Sequence, residues 1–393
     1  MELVTKKHLR SVAIGIISGL FSMQVWAADE IKVGLMLPFS GTYAQLGEAI
    51  ENGFKLYVQE QGGKLAGKSV NYVKVDDESE PSKAPDNVNK LIKRDKVDVI
   101  IGTVHSGVAM GMLQAARASK TLMIIPHAGT DAVTGPMCAP NIFRSSFSNW
   151  QPAYGSGKLA VEKGYKRIVT VSWKYTAGEE SLRGFKDGIE STDTQVIADL
   201  TLPFPNVEFQ AILTQISSLK PDAVYAFFGG AGSVKFVKDY EAAGLKQRIP
   251  LIGSGFLTEG VLQAQGASAE GLQTTLHYGD GLDNPVDKAF RTAYSAQYKM
   301  PPDVYAIQGF DAAQMLAEGL KAVDGDVTRQ DEIVKAIEGM TVNSPRGDFK
   351  LSAAHSPVQD IYVRTVTNGE NLVTGVAAEA VGSPSKGCVM ASR

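Results

Sequence analysis

The sequence predicts an α/β fold with two doubly wound lobes, each a parallel sheet covered by helices on both faces. From residue 31 onward, short β-branched runs alternate with amphipathic stretches whose apolar residues recur at spacings of three and four. The alternation restarts after Asn149-Trp150-Gln151-Pro152, and a length of 393 residues fits two domains. We therefore expect two lobes related by pattern, with no repeat or low-complexity linker visible between them.

The first lobe is predicted from the β-branched runs and the amphipathic stretches between them. Strands are expected at residues 31–37, 70–76, 97–101 and 122–125. Helices are expected near 47–61, 83–95 and 106–120. In the first helix Ile50, Phe54, Tyr57 and Val58 form an apolar face. These elements form one complete doubly wound unit.

The second lobe is predicted from the same alternation after residue 149. Strands are expected at 167–173, 195–202, 223–228, 250–253 and 272–277. Helices are expected up to about 163 and at 178–191, 209–219 and 232–243, followed by helices at 285–299, 305–323 and 330–339 and strand-like runs at 360–367 and 371–377. Several short crossings between the lobes would let them hinge.

The N-terminus has the order of a cleaved signal peptide. Lys6, Lys7 and Arg10 precede an apolar run over 12–25, and a small residue, Ala27, stands at the expected cleavage site. The run is shorter than the roughly 18 residues needed to span a bilayer, so a permanent membrane anchor is the weaker interpretation. We expect residues 1–27 to be removed and, because no cysteine follows the run, the product to carry no lipid.

The charge balance argues against nucleic acid as a partner. Removing residues 1–27 would lower the basic count from 39 to 36 and the acidic count from 42 to 41, a net charge near −5. No cluster of Lys and Arg with interleaved aromatic residues is present, as phosphate binding would require.

Cys138 and Cys388 are the two cysteines of the chain. In an oxidising compartment they are expected to form a disulfide that ties the C-terminal tail, 379–393, to the first half of the chain. The alternative is a pair of buried, inert thiols.

Ligands of open α/β sheets bind beyond the carboxyl ends of the strands, so the loops there are candidate sites. Small residues, hydroxyls and helix N-termini meet in the loops after the first, third and fourth strands. Ser106 and Thr130 offer hydroxyls there, and the backbone N–H groups of Ser106, Gly107 and Gly129 are expected to face the site. This arrangement suits a carboxylate. Helix capping by Ser106 and Thr130 is an equally open alternative.

Enzymatic chemistry is not favoured by the motifs. His105 and Ser106 are adjacent and cannot form a relay by sequence proximity, and no Gly-x-Ser-x-Gly elbow follows a strand. The histidines lack metal-ligand spacing, and Gly229-Gly230-Ala231-Gly232 is an incomplete dinucleotide fingerprint. His105 and His127 are interpreted as pocket or loop residues. We therefore predict binding without catalysis, metal or cofactor.

The sequence resembles the type I periplasmic binding proteins of the branched-chain amino acid class, which deliver solutes to ATP-driven importers. The resemblance is carried by Ser40-Gly41-x-x-Ala44-x-x-Gly47, Val73-Lys74-Val75-Asp76-Asp77, Ile101-Gly102 with Ser106, Tyr175-x-x-Gly178, and Gln308-Gly309-Phe310-Asp311-Ala312-Ala313. It implies two Rossmann-like lobes joined by three hinge crossings. Lobe 1 would comprise 28–148 and 279–350, and lobe 2 would comprise 149–278 and 351–378. It also implies a periplasmic monomer that binds a small molecule and an ABC permease complex in the inner membrane.

The same resemblance implies which residues bind the ligand. Ser106 and the backbone of Ala128, Gly129 and Thr130 would hold a carboxylate. Amino-acid receptors carry an acid for the α-ammonium group where this chain has Gly255, and often a tyrosine where it has Ala177. An unpaired buried ammonium is costly, so an α-amino acid is disfavoured.

The runs 127–135 and 138–150 resemble a subgroup of these receptors that binds aromatic carboxylates. Tyr43, Tyr175, Phe256 and Tyr305 would then surround the ring of a benzoate- or hydroxycinnamate-type acid, although each could be an ordinary core residue. Three alternatives stay open: a receptor for branched-chain or other amino acids, a ligand sensor without a transport role, and a periplasmic hydrolase acting through Ser106.

Overall fold

The computed structural model describes residues 30–391, so the predicted signal peptide at 1–27 lies outside the described residues. The chain forms two sheets, and each is covered by helices. This arrangement confirms the predicted α/β class with two lobes. Within residues 30–391, no helix is both long and apolar enough to span a membrane.

The first sheet has the strand order β2-β3-β1-β4-β5-β6. The strands are β1 (Glu30–Leu37), β2 (Lys64–Leu65), β3 (Lys68–Asp76), β4 (Val99–Ile101), β5 (Leu122–Ile125) and β6 (Ile142–Arg144). The helices are α1 (Ala44–Glu60), α2 (Ala84–Asn89), which continues as a π-helical segment Lys90–Asp95, and α3 (Ser106–Ser119). Pairing is parallel except between β2 and β3. Every predicted strand and helix of this lobe is present, whereas the short strands β2 and β6 were not predicted.

The second sheet has the order β12-β13-β14-β11-β10-β9-β7-β8, with β15 also paired to β14. The strands are β7 (Arg167–Lys174), β8 (Gln195–Pro203), β9 (Ala223–Phe227), β10 (Leu251–Ser254), β11 (Gln273–Leu276), β12 (Thr341–Val342), β13 (Phe349–Leu351), β14 (Pro357–Thr367) and β15 (Glu370–Val381). The helices associated with it are α4 (Trp150–Glu162), α5 (Thr176–Gly188), α6 (Gln210–Leu219), α7 (Gly230–Ala242) and α8 (Leu262–Gln265). Strands β7 to β11 pair in parallel, and β12 to β15 add an antiparallel edge.

Three further helices follow β11: α9 (Pro285–Tyr298), α10 (Val304–Lys321) and α11 (Gln330–Gly339). Helix α10 packs on α1 with direct backbone contact. A Cβ atom on Gly53 would lie 1.8 Å from the carbonyl oxygen of Ala306, and one on Gly309 would lie 2.0 Å from that of Ile50. The chain therefore returns to the side of the first sheet after β11.

The chain passes between the two sides after β6, after β11 and after α11, which gives the three predicted crossings. The buried guanidinium of Arg346, which follows the third crossing between β12 and β13, donates to the carbonyl oxygens of Ser145 and Ser146 in the first crossing. It also pairs with Asp311 of α10 (Nε to Oδ2, 3.2 Å). Strand β12 pairs with β13, and β13 pairs with β14 of the second sheet. Most of β12 and β13 nevertheless lies within the 279–350 segment predicted for lobe 1. The lobe boundaries stay a prediction.

The tail is joined to the first lobe by a disulfide between Cys138 and Cys388, the predicted pair. Thr134 donates its hydroxyl to the carbonyl oxygen of Pro384 (2.7 Å), and Arg144 donates to the Ser383 hydroxyl (3.2 Å). The tail is thus held against β6 and the segment between β5 and β6 by covalent and polar contacts.

Candidate functional site

A cavity lies between the two sheets and is walled by residues from both sides. The space in it that a water-sized sphere can occupy is about 20 Å³. The lining residues are Tyr43, Leu46, Val104, Ser106, His127, Phe147, Asn149, Tyr175, Ala177, Phe227, Gly229, Phe256 and Tyr305. This space is about that of one water molecule.

The ends of several helices meet at this cavity. Ser106 is the first residue of α3, Ala177 the second of α5 and Tyr305 the second of α10, while Tyr43 and Gly229 directly precede α1 and α7. Helix N-termini carry a partial positive charge and unpaired N–H groups. The cavity therefore has a field that favours an anion.

The walls are largely aromatic. His127 contacts Phe147, Phe256 and Tyr305 edge to face, with ring centroids 5.0, 5.2 and 5.0 Å apart. Phe147 and Phe256 face each other from the two sides at 4.8 Å. These aromatic walls present flat apolar surfaces and ring edges to a ligand of similar shape.

Polar groups are few and specifically placed. The hydroxyls of Tyr43 and Tyr175 are hydrogen-bonded across the two sides at 3.0 Å. The Ser106 hydroxyl oxygen accepts a hydrogen bond from Asn149 Nδ2 (3.1 Å). The hydroxyl of Tyr305 is buried and has no partner among residues 30–391. An unpaired buried hydroxyl is costly, so this group is suited to bind a ligand atom.

Comparison with known proteins agrees with this architecture. The family model described as periplasmic binding protein matches residues 30–371. The chain belongs to the periplasmic binding protein family. A solute-binding protein of an ABC transporter from R. palustris, solved in complex with benzoate, is 53% identical, covers 92% of this chain and 99% of its own, and superposes with a TM-score of 0.90.

Two further relatives of this periplasmic binding protein are more distant. A solute-binding protein from Rhodopseudomonas palustris BisB5, in complex with 3,4-dihydroxy benzoic acid, is 30% identical over 91% of this chain and 99% of its own, with a TM-score of 0.85. The Leu/Ile/Val-binding protein homolog 6 of Brucella melitensis is 27% identical over 90% of this chain and 92% of its own. These relatives are solute-binding proteins rather than enzymes.

Most of the residues predicted for the site line the cavity of this periplasmic binding protein. They are Tyr43, Ser106, His127, Tyr175, Ala177, Phe256 and Tyr305. The other predicted residues do not line the cavity and make other contacts; they are His105, Ala128, Gly129, Thr130 and Gly255.

His105 caps a helix. Its Nδ1 accepts hydrogen bonds from the backbone N–H groups of Gly107 (3.0 Å) and Val108 (3.4 Å), and its ring stacks on Tyr175 at 4.8 Å. The Gly107 N–H, which we expected to face the ligand, is therefore already hydrogen-bonded to His105. His105 supports the aromatic wall from behind.

The segment from Ala128 to Thr130 is also engaged in internal hydrogen bonds. The Ala128 N–H donates to the carbonyl oxygen of Thr103 (2.8 Å), and the Gly129 carbonyl accepts from the backbone N–H of Asn149 (2.7 Å). The Thr130 hydroxyl donates to Glu180 Oε1 (3.2 Å). The Thr130 side chain thus contacts α5, and its predicted contact with a carboxylate stays a prediction.

Gly255 does not face the cavity. A Cβ atom there would lie 2.6 Å from Arg364 Nη2, and the Gly255 carbonyl accepts from that same nitrogen (2.9 Å). The nearby acid Glu259 is paired with Arg364 and accepts from the Val304 N–H (2.7 Å). A side chain at this position would point toward Arg364, and the interpretation of Gly255 as a vacated acid position stays a prediction. The lining residues, all within the described chain, nevertheless include no carboxylate.

The site is electrically neutral apart from the helix ends. Burial lowers the pKa of His105 and of His127 to about 4, so both imidazoles are uncharged at neutral pH. The side-chain amide oxygen Oε1 of Gln308, from the motif on α10, accepts a hydrogen bond from His127 Nδ1 (2.7 Å). Burial also raises the pKa of Tyr43 and Tyr175, which keeps both hydroxyls as hydrogen-bond donors. An anion here would be held by neutral donors.

Six lining residues were not predicted: Leu46, Val104, Phe147, Asn149, Phe227 and Gly229. Phe147 and Asn149 follow β6, a strand that the sequence pattern did not reveal. Gly229 lies in the glycine-rich loop that was tested only as a nucleotide motif. The position of this loop after a predicted strand was the signal that could have identified it.

Proposed function

We propose that the protein is the periplasmic solute-binding component of an ABC importer and that its ligand is a small aromatic carboxylate of the benzoate type. The observation that carries this proposal is the cavity itself: aromatic walls, helix N-termini and neutral donors, with no carboxylate in its lining. The benzoate complex of the 53% identical neighbour supports the same class of ligand.

The cavity distinguishes an aromatic acid from an amino acid. The α-ammonium of leucine or phenylalanine would be buried without an acidic partner, and an unpaired buried charge costs several kcal/mol. An aromatic carboxylate brings only a negative charge, which the helix ends favour. The relatives named for leucine, isoleucine and valine represent the alternative.

The proposed roles follow the geometry. Ser106 donates its hydroxyl to the carboxylate at the start of α3, and Tyr305 contributes its unpaired hydroxyl. Phe147 and Phe256, which contact each other, form one aromatic wall beside the ring. Burying roughly 150 Å² of ring contributes about 3 to 4 kcal/mol, and each charge-assisted hydrogen bond contributes about 1.5 to 3 kcal/mol. After the cost of association, micromolar affinity, about −8 kcal/mol, is attainable.

The cellular setting is part of the proposal. The signal-like segment 1–27 would export the chain, and the Cys138–Cys388 disulfide suits the oxidising periplasm. There the monomeric receptor would deliver its ligand to a permease complex in the inner membrane, without catalysing a reaction.

A thermal-shift panel on the purified protein without residues 1–27 tests the ligand class. At 100 times Kd, a ligand stabilises the folded state by about 2.7 kcal/mol. We expect benzoate or 4-hydroxybenzoate to raise the melting temperature and leucine and phenylalanine to leave it unchanged. Cinnamate tests the size limit, and benzamide, a neutral isostere, controls for the charge. Stabilisation by leucine without stabilisation by aromatic acids would support the amino-acid alternative.

A further inference from the structure

Glu180 is a buried acid that lies behind the cavity and links the two sides of the molecule. It belongs to α5, yet its carboxylate accepts hydrogen bonds from the segment that follows β5. Oε1 accepts from the Thr130 hydroxyl (3.2 Å) and the Asp131 N–H (3.0 Å), and Oε2 accepts from Asn149 Nδ2 (2.7 Å). Glu180 therefore contacts the first-sheet side and the first crossing at the same time.

Asn149 connects this carboxylate to the cavity. The Nδ2 that donates to Glu180 also donates to the Ser106 hydroxyl oxygen (3.1 Å). An amide nitrogen carries two hydrogens, and a carboxylate only accepts, so Glu180 determines which way the Asn149 amide faces. The Asn149 Oδ1 then lies toward Gly129, where an added Cβ would be 2.5 Å away.

This orientation has a consequence for Ser106. A hydroxyl oxygen that accepts from Asn149 keeps its own hydrogen for another acceptor, and Ser106 lines the cavity. Within the cavity, that hydrogen is available to a ligand oxygen. Chains of hydrogen bonds that begin at a charged group polarise one another, which strengthens the last donor.

We propose that Glu180 is a positioning residue that couples closure of the two sides to the orientation of the Ser106 hydroxyl toward the ligand carboxylate. Glu180 is carried by α5, whereas Ser106 and Thr130 follow strands of the first sheet. The chain of hydrogen bonds is complete only when the two sides meet, so the Ser106 hydroxyl is oriented toward the ligand only on closure. The inference rests on the proposed function because it needs a carboxylate ligand.

Calorimetric titration with benzoate tests the proposal in wild type, Glu180→Gln, Ser106→Ala and the double variant. Glutamine keeps the shape of Glu180 but can donate to Asn149, which disturbs the chain. We expect Glu180→Gln to weaken benzoate binding by about 10-fold or more, the size of a lost charge-assisted hydrogen bond. In the Ser106→Ala background the same change should alter affinity by less than about 2-fold, because the coupled donor is absent.

Glu179→Gln is the matched control, because Glu179 is the exposed neighbour on the same helix and undergoes the same chemical change. It should bind benzoate as wild type does. Thr130→Val removes one donor to Glu180 without touching Asn149, and should bind more weakly than wild type but more tightly than Glu180→Gln. Equal affinity of Glu180→Gln and Glu179→Gln, or additive effects of Glu180→Gln and Ser106→Ala, would overturn the inference while the proposed function stands. If wild type bound no aromatic acid, the proposed function and this inference would both fail.

Discussion

Reduction of the Cys138–Cys388 disulfide is expected to lower the free energy of unfolding by about 4 to 5 kcal/mol. The bond joins positions separated by 250 residues, so it restricts the unfolded chain strongly. Both sulfurs are buried, and the tail would lose its anchor on the first lobe. Urea unfolding of the oxidised protein, compared with unfolding in the presence of a thiol reductant, measures the effect.

A double variant, Cys138→Ser with Cys388→Ser, controls for effects of the reductant itself. Its unfolding midpoint should match that of the reduced wild type and should not respond to reductant. A loss below about 1 kcal/mol in both experiments would contradict the expectation. It would mean that the contacts of Thr134 with Pro384 and of Arg144 with Ser383 hold the tail without the disulfide.

Arg364→Met is expected to lower the free energy of unfolding by about 3 to 5 kcal/mol, the cost of leaving a buried charge unpaired. Arg364 is fully buried and pairs with Glu259, which is also buried. It further donates to the carbonyl oxygens of Gly255 (2.9 Å) and Tyr278 (3.1 Å). Urea or thermal unfolding of the variant measures the loss.

The same variant should bind its ligand more weakly, because Arg364 holds the site from behind. Gly255 precedes Phe256 of the cavity wall, and Glu259 accepts from the first N–H of α10, which carries Tyr305. Arg329→Met is the control, since Arg329 pairs with Glu332 on the surface and such pairs contribute about 0 to 1 kcal/mol. If both variants were equally stable, the buried pair would not stabilise the fold.

The order of strands and helices could be predicted because hydrophobic periodicity depends on neighbouring residues. The predicted strand at 122–125 and the predicted helix at 330–339 coincide with β5 and α11. Strand β6 could not be predicted in this way. It is short and ends in Arg144, a residue type typical of surfaces. In the fold the Arg144 guanidinium is buried, and it donates to the Thr130 carbonyl and the Ser356 hydroxyl. Ser356 is 212 residues away in sequence, so no local pattern indicates this contact.

The same distinction, between local pattern and long-range contacts, applies to the residues of the site. Tyr43, Ser106 and His127 could be found because they lie in loops at the carboxyl ends of predicted strands. The helix cap at His105 and the direction of a side chain at Gly255 depend on contacts that periodicity does not describe. Glu180 illustrates the limit: an acid within a helix reads as a solvated residue, yet the fold buries it against Thr130 and Asn149.

Isothermal titration calorimetry with benzoate and leucine on the same protein preparation tests whether an aromatic carboxylate is the ligand of this cavity. The structure predicts saturable, one-to-one binding of benzoate in the micromolar range or tighter, and no binding of leucine at the same concentrations. Saturable binding of leucine without binding of benzoate would contradict the proposal that the ligand is an aromatic carboxylate.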